Sequence, residues 1–403
     1  MRTVLIVGAG RYQRAVIRRA QELGLRVVAV DRNPEAPGLR EADVGRVVDF
    51  SNPENVLAAI SDLEIHGVLT VQAERAVPMV ATLAEALGLP GIGAETAHLM
   101  THKVAMRRRL EEAGVPQPRF TTLRTPAEAR RAAEVVGFPA VLKPASASGQ
   151  QGVFRVDSVA DVETRLHDAL AVSPTEDAIL EEFIGGTEMN GIVIAQDGEA
   201  LSVILSDRLR PPGRSFGISW IHLYPPSVHG DQLAEAEQVA ADTVRALGLR
   251  TGIAFPQLLA TPDGHVSVVE CAARIGGLMA ELLRHAVGID LLEVQIRIAL
   301  GDKIPDALVE EQVRQPVAMR FLTAAPGPLP TGRVTRVGTL EKVLAAPGIV
   351  DAALFVEEGE TIRPVMRVSD RRGYVVAIAN TSQDALERAE AAALLVDIDV
   401  DSA

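Results

Sequence analysis

The first 31 residues constrain the fold most, because they contain a strand, a glycine turn, a helix and a second strand in immediate succession. Residues 4–31 read VLIVGAGRYQRAVIRRAQELGLRVVAVD. An apolar strand, glycines at Gly8 and Gly10, an amphipathic helix and Asp31 after the next strand are typical of a dinucleotide-binding unit. The stretch therefore predicts the start of a parallel α/β sheet and suggests a nicotinamide cofactor as one hypothesis.

The details of the turn argue against that cofactor. A dinucleotide fingerprint needs a third small residue three positions after the second glycine, where the pyrophosphate meets the helix N-terminus. This chain has Gln13 there, preceded by the bulky Arg11 and Tyr12. Asp31 stands where a ribose-binding acid would lie, but an aspartate after a strand often caps a turn instead. We therefore expect a Rossmann-like scaffold domain whose glycine turn packs tightly or borders a substrate site.

Three regions of different pattern follow one another along the 403 residues. Strand-like and helical runs alternate over residues 1–95, which predicts a parallel sheet with helices on its faces. Residues 96–315 begin with a helix and continue with short strands, and two of their links, QDGEA and TPDGH, have the Asp-Gly signal of hairpins. Residues 316–403 predict a small C-terminal α+β domain. The fold class is therefore α/β at the N-terminus and α+β after it.

Composition excludes several classes of function. The net charge of -13 disfavours binding to nucleic acid, and an aromatic content of 3% disfavours base stacking. A single cysteine, Cys271, excludes an internal disulfide framework, and no apolar run is long enough to cross a bilayer. The chain enters its first strand without the features of a signal peptide, so we expect a cytoplasmic protein. The run Arg107, Arg108 and Arg109 is interpreted as a solvated helix face.

Three segments of the middle region contain residues that suit phosphate chemistry. In FPAVLKPASASGQQGV, residues 138–153, Lys143 ends a strand before a loop of small residues, whose backbone N–H groups can approach phosphate oxygens. The spacing of a P-loop is absent. In ILEEFIGGTEMNGIVI, residues 179–194, Glu181 and Glu188 flank a glycine turn; they are either nucleotide ligands or solvated hairpin charges.

The third segment gives the strongest local signal. In HVSVVECAARIGG, residues 265–277, Glu270 ends an apolar strand and Arg274 follows four residues later. An unpaired carboxylate would be costly there, and a carboxylate with an arginine suits Mg²⁺ and a transferring phosphoryl group. An inter-strand salt bridge is the alternative. If TPDGH is a hairpin, Gln257 lies on the strand paired with Glu270.

In this order and spacing, the segments resemble the ATP-grasp superfamily. Lys103 and the following GVPQPRF match the first nucleotide lysine and its junction, and FPAVLKP with its loop matches the second lysine. EEFIGGTE matches the adenine and ribose segment, ECAARIGG the metal and arginine segment, and HAVGIDLLEVQIRIALGD the helices after it. The resemblance implies an N-terminal pre-ATP-grasp domain over residues 1–95, an ATP-grasp domain of two subdomains over 96–315 with a lid at about 118–185, and the C-terminal domain.

Family chemistry is ADP-forming ligation, in which ATP converts a carboxylate into an acyl phosphate that an amine then attacks. The cofactors implied are ATP and Mg²⁺, and the partners are a small carboxylate and an amine, with a homodimer possible. The resemblance implies that Glu270 and Gln257 bind the metal, and that Arg274, Lys143 and Glu270 are catalytic. Residues implied to bind the nucleotide are Lys103, Lys143, Ser146, Ser148, Gly149, Glu181, Glu182, Phe183, Ile184 and Glu188.

Two departures from the family pattern concern the metal, since many members have an acid at Gln257 and an asparagine at Ala272. An amide oxygen can still bind Mg²⁺, whereas alanine cannot, so we expect one metal held firmly through Glu270. Residues expected to contact the substrate are His222, Arg214, Gly276, Gly277 and Met279, although a structural histidine and a core methionine are the simpler interpretations.

The general shape, with its small C-terminal domain, resembles the amino-acid ligase branch, which joins two amino acids into a dipeptide. Two alternatives stay open. A relative of biotin carboxylase or of purine-pathway enzymes would activate bicarbonate or formate. An ATP-binding regulatory protein would have lost turnover through its altered metal residues.

Overall fold

The computed structural model describes residues 1–147, 149–173, 175, 177–211 and 218–401. Its first sheet has the strand order β3-β2-β1-β4 and is parallel throughout, as the alternating pattern predicts. Its strands are β1 (Thr3–Val7), β2 (Arg26–Asp31), β3 (Val44–Val47) and β4 (Gly67–Leu69). The accompanying helices are α1 (Arg14–Glu22), α2 (Pro37–Glu41), α3 (Pro53–Ala59), α4 (Val77–Ala86) and α5 (Ala94–Leu99). Every residue of β1 is buried, because helices cover both faces of the sheet.

The glycine turn after β1 is filled by protein side chains. Gly8 has a φ of +91°, which glycine adopts without strain, and Gln13 folds back beneath it. The amide Nε2 of Gln13 donates to the backbone oxygen of Val71 at 2.6 Å. Asp31 accepts hydrogen bonds from the backbone N–H of Ala9 at 2.8 Å and of Asn33 at 2.9 Å. Asp31 therefore caps the turn, and the turn ties β1 to the segment after β4.

A second, four-stranded sheet has the order β5-β8-β6-β7 and is antiparallel. Helix α6 (Lys103–Glu112) precedes it in the chain. Its strands are β5 (Phe120–Leu123), β6 (Ala140–Pro144), β7 (Phe154–Val156) and β8 (Ala178–Glu182), and its helices are α7 (Ala129–Val136) and α8 (Val159–Leu170). Helices α7 and α8 pack on the sheet around a separate small core. Helix α8 begins after Ser158, whose side chain accepts from the N–H of Asp161.

The largest sheet has eight strands in the order β13-β12-β9-β10-β11-β14-β18-β16. Its strands from the middle of the chain are β9 (Thr187–Gln196), β10 (Glu199–Leu209), β11 (Ile221–Tyr224), β12 (Gly252–Ala260) and β13 (Val266–Ala272). The helices of this part are α9 (Asp231–Ala246), α10 (Met279–Ala286) and α11 (Leu291–Ala299). Both predicted hairpins are confirmed, since β9 pairs with β10 and β12 pairs with β13 in antiparallel register.

The remaining strands of the eight-stranded sheet come from the C-terminal part of the chain. These are β14 (Val317–Leu322), β16 (Ile349–Leu354) and β18 (Gly373–Ile378). A three-stranded sheet of order β17-β15-β19 completes this part, with β15 (Gly332–Val337), β17 (Thr361–Ile362) and β19 (Ile398–Asp401). Its helices are α12 (Glu341–Leu344) and α13 (Ser382–Ala393). Because β14 pairs with β11, the main sheet continues across residue 316 without a break.

The main hydrophobic core draws residues from β1, β2, β9, β12, α10, α11 and β14, so the three parts of the chain share it. A second core lies on the other side, between α9 and strands β9, β12 and β13. Within the described residues, every helix is too short or too polar to cross a membrane.

Candidate active site

A cavity of about 400 Å³ opens where the N-terminal part, the second sheet and both ends of the main sheet meet. Its volume is in the range of small-molecule binding sites. Tyr12 borders it from the N-terminal part, Lys143 from the second sheet, Glu270 from the main sheet and Arg371 from the C-terminal part. The cavity is therefore lined by segments that are distant from one another in the sequence.

Lys103 and Glu270 form an ion pair in this cavity. Lys103 is the first residue of α6, and its backbone N–H donates to the oxygen of Ala145. Its Nζ lies 3.0 Å from Glu270 Oε1 and donates to the oxygen of Ala147 at 2.8 Å. Burial opposes the charge of both groups, but the mutual attraction outweighs it, so the pKa of Lys103 is raised and the pKa of Glu270 is lowered. Both groups are therefore charged at neutral pH.

Lys143 and Glu181 form a second pair, which Arg107 completes. Lys143 Nζ lies 2.6 Å from one carboxylate oxygen of Glu181, and Arg107 Nε lies 2.8 Å from the other. Burial would raise the pKa of Glu181, but the two cations outweigh it and lower the pKa to about 2. Burial lowers the pKa of Lys143, and Glu181 offsets only part of that effect.

Arg107 corrects one sequence-based expectation. The sequence predicts a solvated face for the run of three arginines, yet the side chain of Arg107 is only 1% exposed. It also donates to the backbone oxygens of Val268 and Val269 and so ties α6 to β13. The signal was present in the sequence, because Lys103 and Arg107 are four residues apart and lie on one face of the helix.

Gln257 and Glu270 lie opposite each other on β12 and β13, as the hairpin prediction requires. Both border the cavity, whereas Ala272 is buried in the core. Among the described residues, no group of three or more His, Cys, Asp or Glu side chains is arranged to hold a metal. One carboxylate and one amide oxygen suit Mg²⁺, which keeps several waters and usually binds substrate phosphates as well. The donor set therefore fits a metal delivered with a nucleotide.

Arg274 is held by an acid that the sequence analysis missed. Its Nη2 lies 2.7 Å from Glu74 Oε2, and both side chains are nearly buried. The ring of Phe255 lies beneath the guanidinium, 5.7 Å from its centroid. A Cβ on Gly276 would come within 2.0 Å of Arg274 Nη1. Gly276 therefore makes room for the guanidinium; it does not border the cavity.

The predicted nucleotide segment lies along the same cavity. Glu182, Phe183, Ile184 and Glu188 border it, as does Gly149, which has a φ of +72°. Arg155 lies over the ring of Phe183 at 4.7 Å. Glu182 makes an exposed ion pair with Arg119 at 3.1 Å.

Glu188, the expected ribose ligand, is already paired. Its two carboxylate oxygens contact Arg208 and Arg210. Arg208 lies in β10, and Arg210 follows the end of that strand. A ribose hydroxyl would have to share Glu188 with them.

His222 and Gly277 border the cavity next to each other, because a Cβ on Gly277 would lie 2.8 Å from the His222 ring. The Nε2 of His222 lies 3.0 Å from Asn190 Nδ2 and 3.3 Å from Ser219 Oγ. Burial first, and then the charges of Arg371 and Arg208, hold the pKa of His222 well below its ordinary value. His222 is therefore neutral at physiological pH.

Two of the remaining predicted residues, Met279 and Ser146, are not at the cavity. Met279 is fully buried in the main core, where it packs against α10 and β10 neighbours, so its predicted substrate contact is corrected. Ser146 is half-buried and does not border the cavity. The predictions for Ser148 and Arg214 lie outside the described residues.

Several residues at the site carried no signal in the sequence. Tyr12 and Asn190 border the cavity from segments with a motif, but no motif position marks them, and Glu74 and Arg371 border it from segments without a motif. Their sequence positions are far apart, and only the packing of the domains brings them together.

Three family models match the chain. The ATP-binding domain of the carbamoyl-phosphate synthase L chain matches residues 102–307, the ATP-grasp N-terminal domain matches residues 17–91, and L-amino acid ligase C-terminal domain 2 matches residues 320–401.

Individual proteins are similar over nearly the whole chain. An uncharacterized protein y4rH of Sinorhizobium fredii is 26% identical, over 95% of this chain and 79% of its own length. A formate-dependent phosphoribosylglycinamide formyltransferase of Ignicoccus hospitalis is also 26% identical, over 96% of this chain and 94% of its own. The crystal structure of an L-amino acid ligase from Bacillus licheniformis superposes with a TM-score of 0.85 at 21% identity, covering 100% of this chain and 99% of that one. At that identity the superposition establishes the fold.

Proposed function

The chain belongs to the ATP-grasp family, and we propose that it is an ATP-dependent ligase that joins a small carboxylate, an amino acid, to an amine through an acyl phosphate. ADP and phosphate are the other products. The observation that carries the proposal is the meeting of Lys103, Lys143, Glu270 and Arg274 at one cavity whose size is typical of small-molecule sites. The first three are bound to one another or to Glu181 by close ion pairs.

The lysines are expected to hold the nucleotide phosphates. Lys103 and Lys143 both pair with carboxylates in the cavity, and phosphate oxygens can accept charge-assisted hydrogen bonds from the same ammonium groups. Gly149 and Gln150 border the same space, and their backbone would cover the phosphates. Phe183 and Ile184 supply the apolar wall on which an adenine would lie, with Glu188 near the ribose.

Glu270 and Gln257 would hold Mg²⁺. The bound metal would neutralise negative charge on the phosphates. Contact of Lys103 with a phosphate would free the Glu270 carboxylate for that role. Gln257 lies opposite Glu270 and offers a neutral oxygen. Ala272 contributes no ligand. We therefore infer one metal held by the protein through Glu270.

Arg274 would stabilise the negative charge that develops as a phosphoryl group moves to the carboxylate. Preorganised cations act strongly in such a site, because the surrounding water has been excluded. Glu74 and Phe255 fix the guanidinium in place, so little reorganisation is needed during the reaction. The acyl phosphate then presents a good leaving group to the amine.

Two observations favour an amino acid as the carboxylate. The C-terminal 82 positions from 320 to 401 match the L-amino acid ligase domain model. The cavity also offers a neutral histidine and an amide, which can form hydrogen bonds with polar groups that an amino acid has and formate lacks. The formyltransferase relative from Ignicoccus hospitalis makes formate activation the competing candidate.

ADP release over pairwise mixtures of small carboxylates and amines tests the proposal. We expect ADP and phosphate only when an amino acid and an amine are both present. Turnover that needs formate or bicarbonate would identify the competing reaction, and release of AMP would exclude acyl-phosphate chemistry. Tight binding of Mg-ATP without turnover across the panel would instead indicate a regulatory protein.

Two variants link the activity to this cavity. Glu270→Gln and Arg274→Ala should each lower kcat by on the order of 100-fold or more, because each removes a charge that stabilises the transition state. Glu95→Gln, in the exposed ion pair with Arg109 away from the cavity, is the matched control and should retain most of the activity. Near-native rates for both site variants would show that the reaction occurs elsewhere.

A further inference from the structure

Arg371 differs from the other cations that line the cavity. Among the described lining residues, five cationic side chains lie within 4 Å of a carboxylate: Lys103, Lys143, Arg208, Arg210 and Arg274. For Arg371, the structure gives no such carboxylate within the same described part of the chain. Its Nη2 instead donates to the backbone oxygen of Ser219 at 3.0 Å and to Ser219 Oγ.

Arg371 is also buried, with only 6% of its surface exposed. The ring of Phe321 covers one face of its guanidinium, 3.8 Å from the ring centroid. Burial lowers the pKa of Arg371 to about 10, so the group still carries its charge at neutral pH. Its Nε–H has no acceptor among the described residues. A buried cation without an anion is unfavourable, and a donor without an acceptor adds to that cost.

A second donor without an acceptor lies at the same end of the cavity. The amide Nδ2 of Asn190 can only donate, so the His222 Nε2 that faces it accepts. The neutral imidazole then carries its hydrogen on Nδ1, which is buried and has no partner among the described residues. Ser219 Oγ contacts both Arg371 and His222, and Phe321 contacts both side chains as well. The two donors therefore belong to one polar subsite.

We propose that Arg371 binds the carboxylate of the amine co-substrate, which makes the nucleophile an amino acid. The guanidinium can make a charge-assisted hydrogen bond to a carboxylate through its buried Nε–H, the donor that has no acceptor among the described residues. The nucleotide phosphates are not the expected anion here, because Lys103 and Lys143, which pair with Glu270 and Glu181, are the cations expected to hold them. This assignment rests on the proposed ligase function and adds the class of the second substrate.

Variants at Arg371 test the assignment with a series of amines. The series comprises an amino acid, its amide, the amine without the carboxylate, and the aminophosphonate of the same length. The wild-type protein should prefer the amino acid over its amide by 10- to 100-fold in kcat/KM, the range expected for a charge-assisted hydrogen bond. Arg371→Met should abolish that preference. Arg371→Lys should retain part of the preference, because lysine keeps the charge but lacks the planar guanidinium. Arg363→Met, at an exposed arginine of the same C-terminal part, is the control and should change nothing.

Thermal unfolding gives a measurement that does not depend on turnover. Without substrate, Arg371→Met should unfold at the same temperature as the wild type or higher, because it removes a buried cation without an anion. The amino acid should raise the unfolding midpoint of the wild type, and this shift should be absent in Arg371→Met and present in Arg363→Met.

The outcomes separate the two proposals. An unchanged preference for the amino acid in a folded Arg371→Met protein would overturn the assignment while leaving the ligase function in place. If the wild-type protein prefers the phosphonate and Arg371→Met abolishes this preference, the anionic group that Arg371 binds is a phosphate group and not a carboxylate. If no mixture releases ADP, the proposed ligase function is wrong. In that case, a shift of the unfolding midpoint that requires both the carboxylate and Arg371 would still support the anion site, and the absence of such a shift would overturn the anion site.

Discussion

Replacement of Glu181 by glutamine is the sharpest test of the buried charges, because the carboxylate lies between two cations. Glu181 is 2% exposed and contacts Arg107 at 2.8 Å and Lys143 at 2.6 Å. Its pKa falls from 4.5 to about 2 on folding. A shift of about 2.5 units corresponds to about 3 kcal/mol of stability at neutral pH, within the range measured when one partner of a buried pair is removed. We expect Glu181→Gln to lower the free energy of unfolding by that amount.

The assay is denaturant unfolding of wild type and variant, followed between pH 7 and pH 3. A carboxylate whose folded pKa is depressed stabilises the fold above its unfolded pKa, and the effect disappears as the pH falls toward the folded pKa. The difference between wild type and Glu181→Gln should therefore be full above about pH 4.5 and shrink toward pH 2. Glu182→Gln is the neighbouring control: its partner Arg119 is 64% exposed, and we expect a loss below about 1 kcal/mol. Equal losses for the two variants, or a difference independent of pH, would refute the reasoning.

Three further changes give distinct results. Gly276→Ala would place a methyl group 2.0 Å from Arg274 Nη1, so we expect kcat to fall on the order of 10-fold or more while the fold is retained; unchanged kcat would show that Arg274 moves freely. Gln257→Glu adds a second carboxylate opposite Glu270, and a Mg²⁺ titration of activity should show half-saturation at a lower concentration; no change would argue against a metal between these strands. Burial raises the pKa of Glu281 to about 7, so the free energy of unfolding falls as the pH rises from about 4.5 to about 7, and Glu281→Gln should remove that loss in thermal unfolding; parallel pH profiles would contradict this.

The sequence was sufficient for features that depend on local chemistry. The alternation of strands and helices predicted the parallel first sheet, and the Asp-Gly links predicted both hairpins. The second hairpin also predicted that Gln257 lies opposite Glu270, a pairing that follows from the hairpin and not from any single motif. These predictions succeeded because turn residues and hydrophobic periodicity act over a few neighbouring positions.

The partners of the site residues were not predictable in the same way. Glu74 and Arg274 are 200 positions apart, and Arg371 meets Ser219 across 152 positions. Their contacts depend on how the domains pack, which local propensity does not encode. Arg107 is the exception, since its four-residue spacing from Lys103 was visible and was interpreted only as surface charge.

The carboxylate partners of the two lysines differ in their number of cations, and this difference links nucleotide binding to metal binding. If Lys143 turned toward a phosphate, Glu181 would keep Arg107 and remain neutralised. If Lys103 turned in the same way, Glu270 would lose the only cation within 4 Å of it in the described structure. A carboxylate left in that position is unfavourable, and a divalent cation restores the balance. Nucleotide should therefore strengthen Mg²⁺ binding, and by linkage Mg²⁺ should strengthen nucleotide binding by the same factor, with Glu270 as the residue through which the two are coupled.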